Sequence, residues 1–335
     1  MKERKILLEH GSGGRLSHEL IQEIFLPLLR NEYLEKLEDG AVFTGGGGRY
    51  CFTTDSFVVS PVFFPGGDIG SLAVHGTVND LAVMGARPLY LSAGFILEEG
   101  FPFDALTTIV CSMADAASRA GVTVVAGDTK VVPRGAADGI FITTSGIGVI
   151  EYRRNLSAGS VRPGDAVIVN GTMGDHGAAI LVVREGLRAA ALVSDSAPLN
   201  ELVACILAAS PNVHCMRDIT RGGLTGILKE IALSARMDMM IEEAVIPVAP
   251  EVRGVCEMLG LDVLTIANEG KLAVFCAMED AAQVLTAIKD HPLGRNATMI
   301  GRVEAKGTGR VILKTHFGGL REVDLPSGEL VPRIC

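Results

Sequence analysis

Tryptophan is missing from the 335 residues, aromatic side chains make up only 5%, and none of the seven cysteines forms a C-x-x-C pair. Their odd number and scattered spacing signal neither a disulfide framework nor a zinc site. No G-x-x-x-x-G-K-[ST] phosphate loop occurs and no G-x-G-x-x-G follows a strand, so a nucleotide site here must be of another kind. Basic residues are not in excess: 30 Lys and Arg face 39 Asp and Glu, a formal charge of -9. Proteins that grip nucleic-acid backbones concentrate cations to release counterions, so nucleic acid is not an expected partner. Also lacking are a run near the roughly 18 apolar residues that span a bilayer and a leader-like apolar core at the N-terminus. The sequence is therefore read as cytoplasmic, without a membrane partner.

What remains is an apolar, glycine-rich chain, 48% hydrophobic with 40 Gly, long enough for two domains. "LSHELIQEIFLPLLR" reads as a helix and "RYCFTTDSFVVSPV" as a strand. "FPGGDIGSLAVHGTVNDLAVMGARP" reads as a glycine turn entering a helix that stops at Gly85. "VTVVAGDTKVV" reads as a buried strand breaking into a Gly-Asp turn, and "GIFITTSGIGVI" as another strand. Further strands are expected at "DAVIVNG" and "KLAVFCAM", with helices at "AAILVVREG", "PLNELVACILAAS", "RGGLTGILKEIALSAR" and "EDAAQVLTAIKDH". Alternation of this kind means α/β or α+β. The expected organisation is an N-terminal glycine-rich loop and helix (1–40), a first domain (41–158), a second α/β domain (159–323) and a mobile tail (324–335).

Acidic residues recur at the ends of apolar segments: Asp39, Asp55, Asp80 and Asp128. Each is open to two readings, a turn former or cap or a hard oxygen ligand for Mg²⁺ and, through it, nucleotide phosphates. Glycine-rich stretches at 10–14, 64–70, 170–177 and 220–224 bring backbone N–H groups close to an anion, and the last three enter helices directly. Six cysteines lie in or beside apolar segments and read as small core residues. The seventh, Cys335, ends the chain after Pro326, Gly328 and Pro332, which keep the tail from forming structure of its own. It is either an accident of a frayed terminus or a thiol on an arm. From Asp324 an extended chain reaches roughly 36 Å at about 3.3 Å per residue, enough to enter a cleft or visit another protein.

The blocks "TTDSFVVSPVFFPGGDIG", "LAVHGTVNDLAVMGARP", "AGDTKVV", "GDHGAAI", "RDITRGGL", "NEGKLAVF" and the ending "PRIC" together resemble the HypE family of hydrogenase maturation factors. That family lies within the superfamily of aminoimidazole ribonucleotide synthetase, selenophosphate synthetase and thiamine monophosphate kinase. The resemblance runs from "HGSGGR" to the last residue. It implies a homodimer whose first domains share a β-barrel, and ATP bound with Mg²⁺ in an interdomain cleft. The reaction implied is dehydration of an S-carboxamide on the terminal cysteine to S-cyanocysteine, the source of cyanide for a nickel–iron hydrogenase. The implied partners are a carbamoyltransferase that loads Cys335 and iron-scaffold proteins that accept the cyanide. Carried over residue by residue, Cys335 is the attachment point, Glu269 the general base and Lys130 a stabiliser of transferred charge. Asp39, Asp55, Asp80 and Asp128 hold the metal. Gly11, Ser12, Gly13, Gly14, Asn79, Asp80, Asp128 and Gly174 hold the nucleotide, and Asp218 and Arg221 the nucleotide or the tail. Lys130 has the plain alternative of a solvated turn lysine, and Glu269 that of a turn carboxylate. His10, His75 and His176 stand in the same blocks with no assigned role. A superfamily synthetase or kinase acting on a free small molecule, and an ATP-sensing adaptor with a docking tail, remain the competing readings.

Overall fold

Two glycines in the left-handed region, Gly46 (φ 57°) and Gly47 (φ 84°), close the first hairpin, joining β1 (Ala41–Gly45) to β2 (Gly48–Phe57). In this computed structural model, which describes residues 5–187, 192–326, 331 and 333–335, that hairpin opens a five-stranded sheet. It continues through β5 (Ala86–Glu98), β6 (Thr123–Val132) and β7 (Ile140–Ile150) in the order β1-β2-β7-β5-β6. Only the β5–β6 pair is parallel, and α4 (Phe103–Ala120) connects those two strands. Ahead of the sheet lie α1 (Arg15–Leu20) and α2 (Leu26–Leu29), joined by a π-helical turn at Ile21–Phe25.

A small hairpin, β3 (Phe63–Phe64) and β4 (Gly67–Asp68), delivers the chain to α3 (Ile69–Val83). Asp68 caps that helix, its Oδ1 accepting from Gly70 N–H (2.7 Å) and Ser71 N–H (3.1 Å). Every residue of α3 except Asp80 is buried. A helix buried on nearly all sides belongs between layers, and α3 packs on β2, β5 and β7, on α4 and on elements of the second half.

The second half holds a seven-stranded mixed sheet, β14-β13-β10-β12-β8-β11-β9. Its strands are β8 (Ala166–Val169), β9 (Val213–Asp218), β10 (Met237–Glu242), β11 (Leu272–Cys276), β12 (Thr298–Lys306), β13 (Val311–Lys314) and β14 (Leu320–Val323). Among the described residues five α-helices accompany it: α5 (Asp175–Arg184), α6 (Asn200–Ala209), α7 (Gly223–Ala235), α8 (Pro250–Leu259) and α9 (Ala281–Asp290). Both sheets are open in the single chain. Among the described residues no helix is long and apolar enough to cross a membrane.

Two expectations are corrected here. The segment read as a buried strand breaking at Gly127–Asp128 runs unbroken as β6, and its side chains from Thr123 to Val131 are exposed. It is an edge strand with no neighbour beyond it among the described residues, so both of its faces and one row of backbone groups stay open. Cys111 and Cys205 are exposed rather than core. The end of the tail expected to be mobile is docked in this structure: Ile334 and Cys335 are 4% and 7% exposed and pack into the core around α3 and α4. Ser327–Leu330 and Pro332, on which part of the tail argument rests, lie outside the described residues.

His75 on α3 is 4% exposed, with Nδ1 2.9 Å from Ser196 Oγ and Nε2 without a partner. Burial, with help from the charge of Arg119, lowers its pKa from 6.5 to about 4. A histidine kept neutral in the fold binds its proton more readily unfolded. Its contribution is therefore complete above pH 6.5 and fades as pH falls toward 4. Between pH 7 and pH 5 this amounts to about 2 kcal/mol. Denaturant unfolding of His75→Gln is expected to show a correspondingly smaller loss of stability over that interval than the unchanged protein; equal losses would remove His75 as a source of acid sensitivity.

Candidate active site

Where α3 crosses the end of β9, a cleft of about 750 Å³ is lined by Asp39, Asp55, Asp80, Asp218, Glu269, Arg221 and Cys335, among others. Asp80 projects from α3, Asp55 from β2 and Asp218 from the last position of β9; Asp39 directly precedes the first hairpin. Carboxylate oxygens of Asp39, Asp80 and Asp218 lie within 4.8 Å of one another. Thr53 Oγ1 sits 2.8 Å from both Asp80 Oδ2 and the Asp39 carbonyl, two acceptors competing for one proton.

Charge crowding dominates this cluster. Burial first, then repulsion from Asp218, Asp39 and Asp55, drives the Asp80 pKa well above the carboxylate range. Burial and the charge of Asp39 bring Asp218 up to about 8. Asp39 is also raised by burial, against the pull of Arg217, whose Nη1 donates to Asp39 Oδ1. Asp39 Oδ2 is buried with no hydrogen-bond partner. Three mutually repelling carboxylates and an orphaned oxygen are what a hard dication relieves, and all-oxygen donors suit Mg²⁺. The residues present therefore fit the expected metal.

The cluster keeps Asp39 and Asp80 of the four expected ligands, leaves out Asp55 and Asp128, and adds one residue. Asp218, expected at the nucleotide, belongs to the cluster, while Asp128 does not: it lies on β6, 68% exposed, paired with Lys130 at 2.7 Å. Register explains the separation. Asp128 is level with Gly94, Thr143 and Ser56 on successive strands, three spacings and about 14 Å from β2. Within one chain Lys130 is equally remote from the cleft lining. Asp55 flanks the cluster, 3.9 Å from Arg221 Nη2.

Asn79 is committed elsewhere. Its Nδ2 donates to the carbonyls of Ala197 (3.1 Å) and Glu269 (3.3 Å), and its Oδ1 accepts from Leu199 N–H (2.8 Å). It ties α3 to the Glu269 turn instead of assisting a metal. Gly174 is likewise away from the cleft lining. Its N–H donates to Asn268 Oδ1 at 2.8 Å, so that amide is not open to a phosphate.

The loop holding Gly11, Ser12, Gly13 and Gly14 does lie beside the cleft, against Arg221 and Gly222. Arg221 Nη1 donates to the Gly11 carbonyl at 3.3 Å. Gly13 has φ +76°, and a Cβ there would stand 2.6 Å from Arg221 Cβ, so only glycine lets the two segments touch.

Glu269 is 3% exposed with Oε1 buried and unpartnered, and burial plus repulsion from Asp218 and Asp55 holds its pKa well above the ordinary range. Its backbone is fixed by Asp195, whose Oδ1 and Oδ2 accept from the N–H groups of Glu269 and Gly270 at 3.1 Å each. Lys271 Nζ completes that carboxylate's shell at 2.9 Å. Burial pushes the Cys335 thiol above its usual range, opposed by Arg221. Sequence reasoning missed Arg217, Asp195 and Thr53. Arg217 and Thr53 lie inside the quoted blocks, but nothing local distinguishes them.

Comparison with known proteins places this geometry. The "AIR synthase related protein" N-terminal domain family matches residues 37–150 and the corresponding C-terminal domain family residues 162–314. Carbamoyl dehydratase HypE of Cupriavidus necator is 52% identical over 337 residues, covering 100% of this chain and 96% of the relative. The chain belongs to the HypE carbamoyl dehydratase family. A solved HypE in complex with ATP superposes with TM-score 0.84 at 47% identity, covering 99% of this chain and 100% of the other. The HypE of a solved HypE–HypF complex gives TM-score 0.87 at 46% identity, with 92% and 99% covered.

Proposed function

We propose that this carbamoyl dehydratase works on its own terminus: ATP drives dehydration of an S-carboxamide on Cys335 to S-cyanocysteine, the cyanide source for a nickel–iron hydrogenase. The observation that carries this reading is the Cys335 thiol lying in the same cleft as Glu269, Arg221 and the Asp39–Asp80–Asp218 cluster. A free-metabolite synthetase has no use for a terminal sulfur in that position.

Asp39, Asp80 and Asp218 would hold Mg²⁺, which supplies charge neutralisation at the ATP phosphates. Transfer of the γ-phosphoryl group to the amide oxygen turns a poor leaving group into phosphate. The nitrogen then loses its two protons, the C–O bond breaks, and a C≡N bond forms on sulfur, with ADP and phosphate as the other products. Glu269, one carboxyl oxygen unpartnered, takes the two nitrogen protons in successive steps, giving the first up to water before it accepts the second. Arg221, 3.9 Å from Asp55 and in the same cleft as Cys335, faces the negative charge that develops.

A thiol held neutral by burial is a poor nucleophile. The tail therefore leaves the cleft to be loaded by a carbamoyltransferase of the HypF kind and returns for dehydration. Iron-scaffold maturation proteins receive the cyanide. The homodimer with a shared barrel belongs to this proposal: β6 offers an exposed edge with Val124, Val125 and Val131 at 40%, 60% and 67% exposure. Asp128 and Lys130 contribute to the nucleotide site only if a twin brings that edge to its cleft.

Intact-mass measurement tests the chemistry. With ATP, Mg²⁺ and the carbamoylating partner, the chain gains one carbamoyl group at Cys335 and then loses one water; a chain that never passes the carbamoyl mass overturns the reading. Asp80→Asn and Asp218→Asn are each expected to weaken Mg-ATP binding more than about tenfold, by loss of a charged ligand. Titration calorimetry at fixed Mg²⁺ measures this, and unchanged affinity in both excludes the cluster as the metal site.

A further inference from the structure

The docked terminus is held from two sides. Val58 N–H donates to the terminal Cys335 oxygen at 2.9 Å, and Ser60 N–H to the Arg333 carbonyl at 3.2 Å. The carbonyl between them, that of Ile334, is left to the interior, where an unpaired carbonyl is costly. Its partner is His176 Nε2, at 2.7 Å. His176 is fully buried in the first turn of α5, its ring edge-on to Phe64 at 5.3 Å between centroids.

A carbonyl only accepts, so Nε2 carries the proton. Nδ1 of the neutral ring is then an acceptor, and its partner, Ser194 Oγ at 2.7 Å, must donate. Ser196 N–H in turn donates to Ser194 Oγ at 3.1 Å. One chain of donors thus fixes both the tautomer and the orientation of the ring.

On the proposed function above, and resting on it, we infer that His176 is a positioning residue for the dehydration step, setting the Cys335 sulfur against Glu269 through the Ile334 carbonyl. The peptide plane that begins at the Ile334 carbonyl ends at the Cys335 Cα. With Val58 holding the terminal oxygen beyond it, that Cα is bracketed, and the sulfur retains only rotation about the Cα–Cβ bond. The neighbour of Ser194 is Asp195, whose carboxylate pins the Glu269 and Gly270 amides. The packing there is tight, since a Cβ on Gly270 would fall 2.0 Å from the Asp195 carbonyl oxygen. A single short segment, 194–196, therefore references both the sulfur and the base to one frame. Displacements near 1 Å between reacting groups cost about 100-fold in rate.

The experiment separates loading from dehydration. Full-length protein is carbamoylated by its partner enzyme, freed of ATP, and then mixed with Mg-ATP while intact mass follows the loss of water. His176→Ala is expected to lower the dehydration rate constant by about 10- to 100-fold, with the ATP half-saturation unchanged and loading no slower. Gln carries an amide N–H where the ring has Nε2, and Asn where it has Nδ1. His176→Gln is therefore expected to recover most of the rate and His176→Asn little of it. Ser194→Ala, which keeps the ring but removes its anchor, is expected to slow dehydration in the same direction and serves if the His176 variants do not fold. Dehydration at the unchanged rate in His176→Ala, or in Ser194→Ala where that variant stands in, overturns the inference, as does equal behaviour of the Gln and Asn variants. Failure of the unchanged protein to lose water would instead overturn the function on which the inference rests.

Discussion

Cys335→Ser is expected to abolish nitrile formation completely, while Mg-ATP binding stays as it is in the unchanged chain. The serine hydroxyl fills the space of the thiol but is not ionised to a comparable nucleophile, so the carbamoyl group has no acceptor. The dock should survive the change. Ile334, 4% exposed, contributes about 2 kcal/mol by burial, and the bonds from Val58, Ser60 and His176 all go to backbone oxygens. Intact mass after incubation with ATP, Mg²⁺ and the carbamoylating partner is the direct reading, and hydrogenase maturation in cells the indirect one. Unimpaired maturation by this variant would favour an adaptor whose tail is only a docking peptide.

Glu269→Gln is expected to reduce the dehydration rate constant by about 10²- to 10⁴-fold, the range typical of a lost general base, with carbamoylation of Cys335 unaffected. The variant should not be less stable than the parent. Its glutamine replaces a carboxyl group whose ionised form is opposed by burial and by Asp218, Asp55 and Asp195, and its backbone anchors to Asp195 are untouched. Thermal unfolding alongside single-turnover kinetics therefore distinguishes a lost base from a damaged fold. Wild-type dehydration in this variant would move the proton to another acceptor.

The two predictions concern residues of very different legibility. Cys335 drew notice because proline and glycine surround a thiol at the end of a chain. Glu269 carries no such local mark, since "NEGK" is equally an ordinary turn. Nothing local to either residue signals that the terminus docks in the core. The same holds for Asn79, whose block was recognised but whose amide is spent on the carbonyls of Ala197 and Glu269.

Local chemistry was enough to place most strands and helices, because alternation, caps and glycine turns act over a few residues: Asp68 caps α3 by bonds to its own next turn. The sequence by itself also carried the family, through the seven blocks that bear the resemblance. Only tertiary structure decided that Asp218 and not Asp128 joins Asp39 and Asp80, since that depends on β6 lying three strands from β2 in an order no local pattern encodes. It likewise decided that the final sulfur is buried. The bonds holding it come from Val58, Ser60 and His176, more than 150 residues away along the chain, and long-range pairing leaves no trace in the composition of the tail itself.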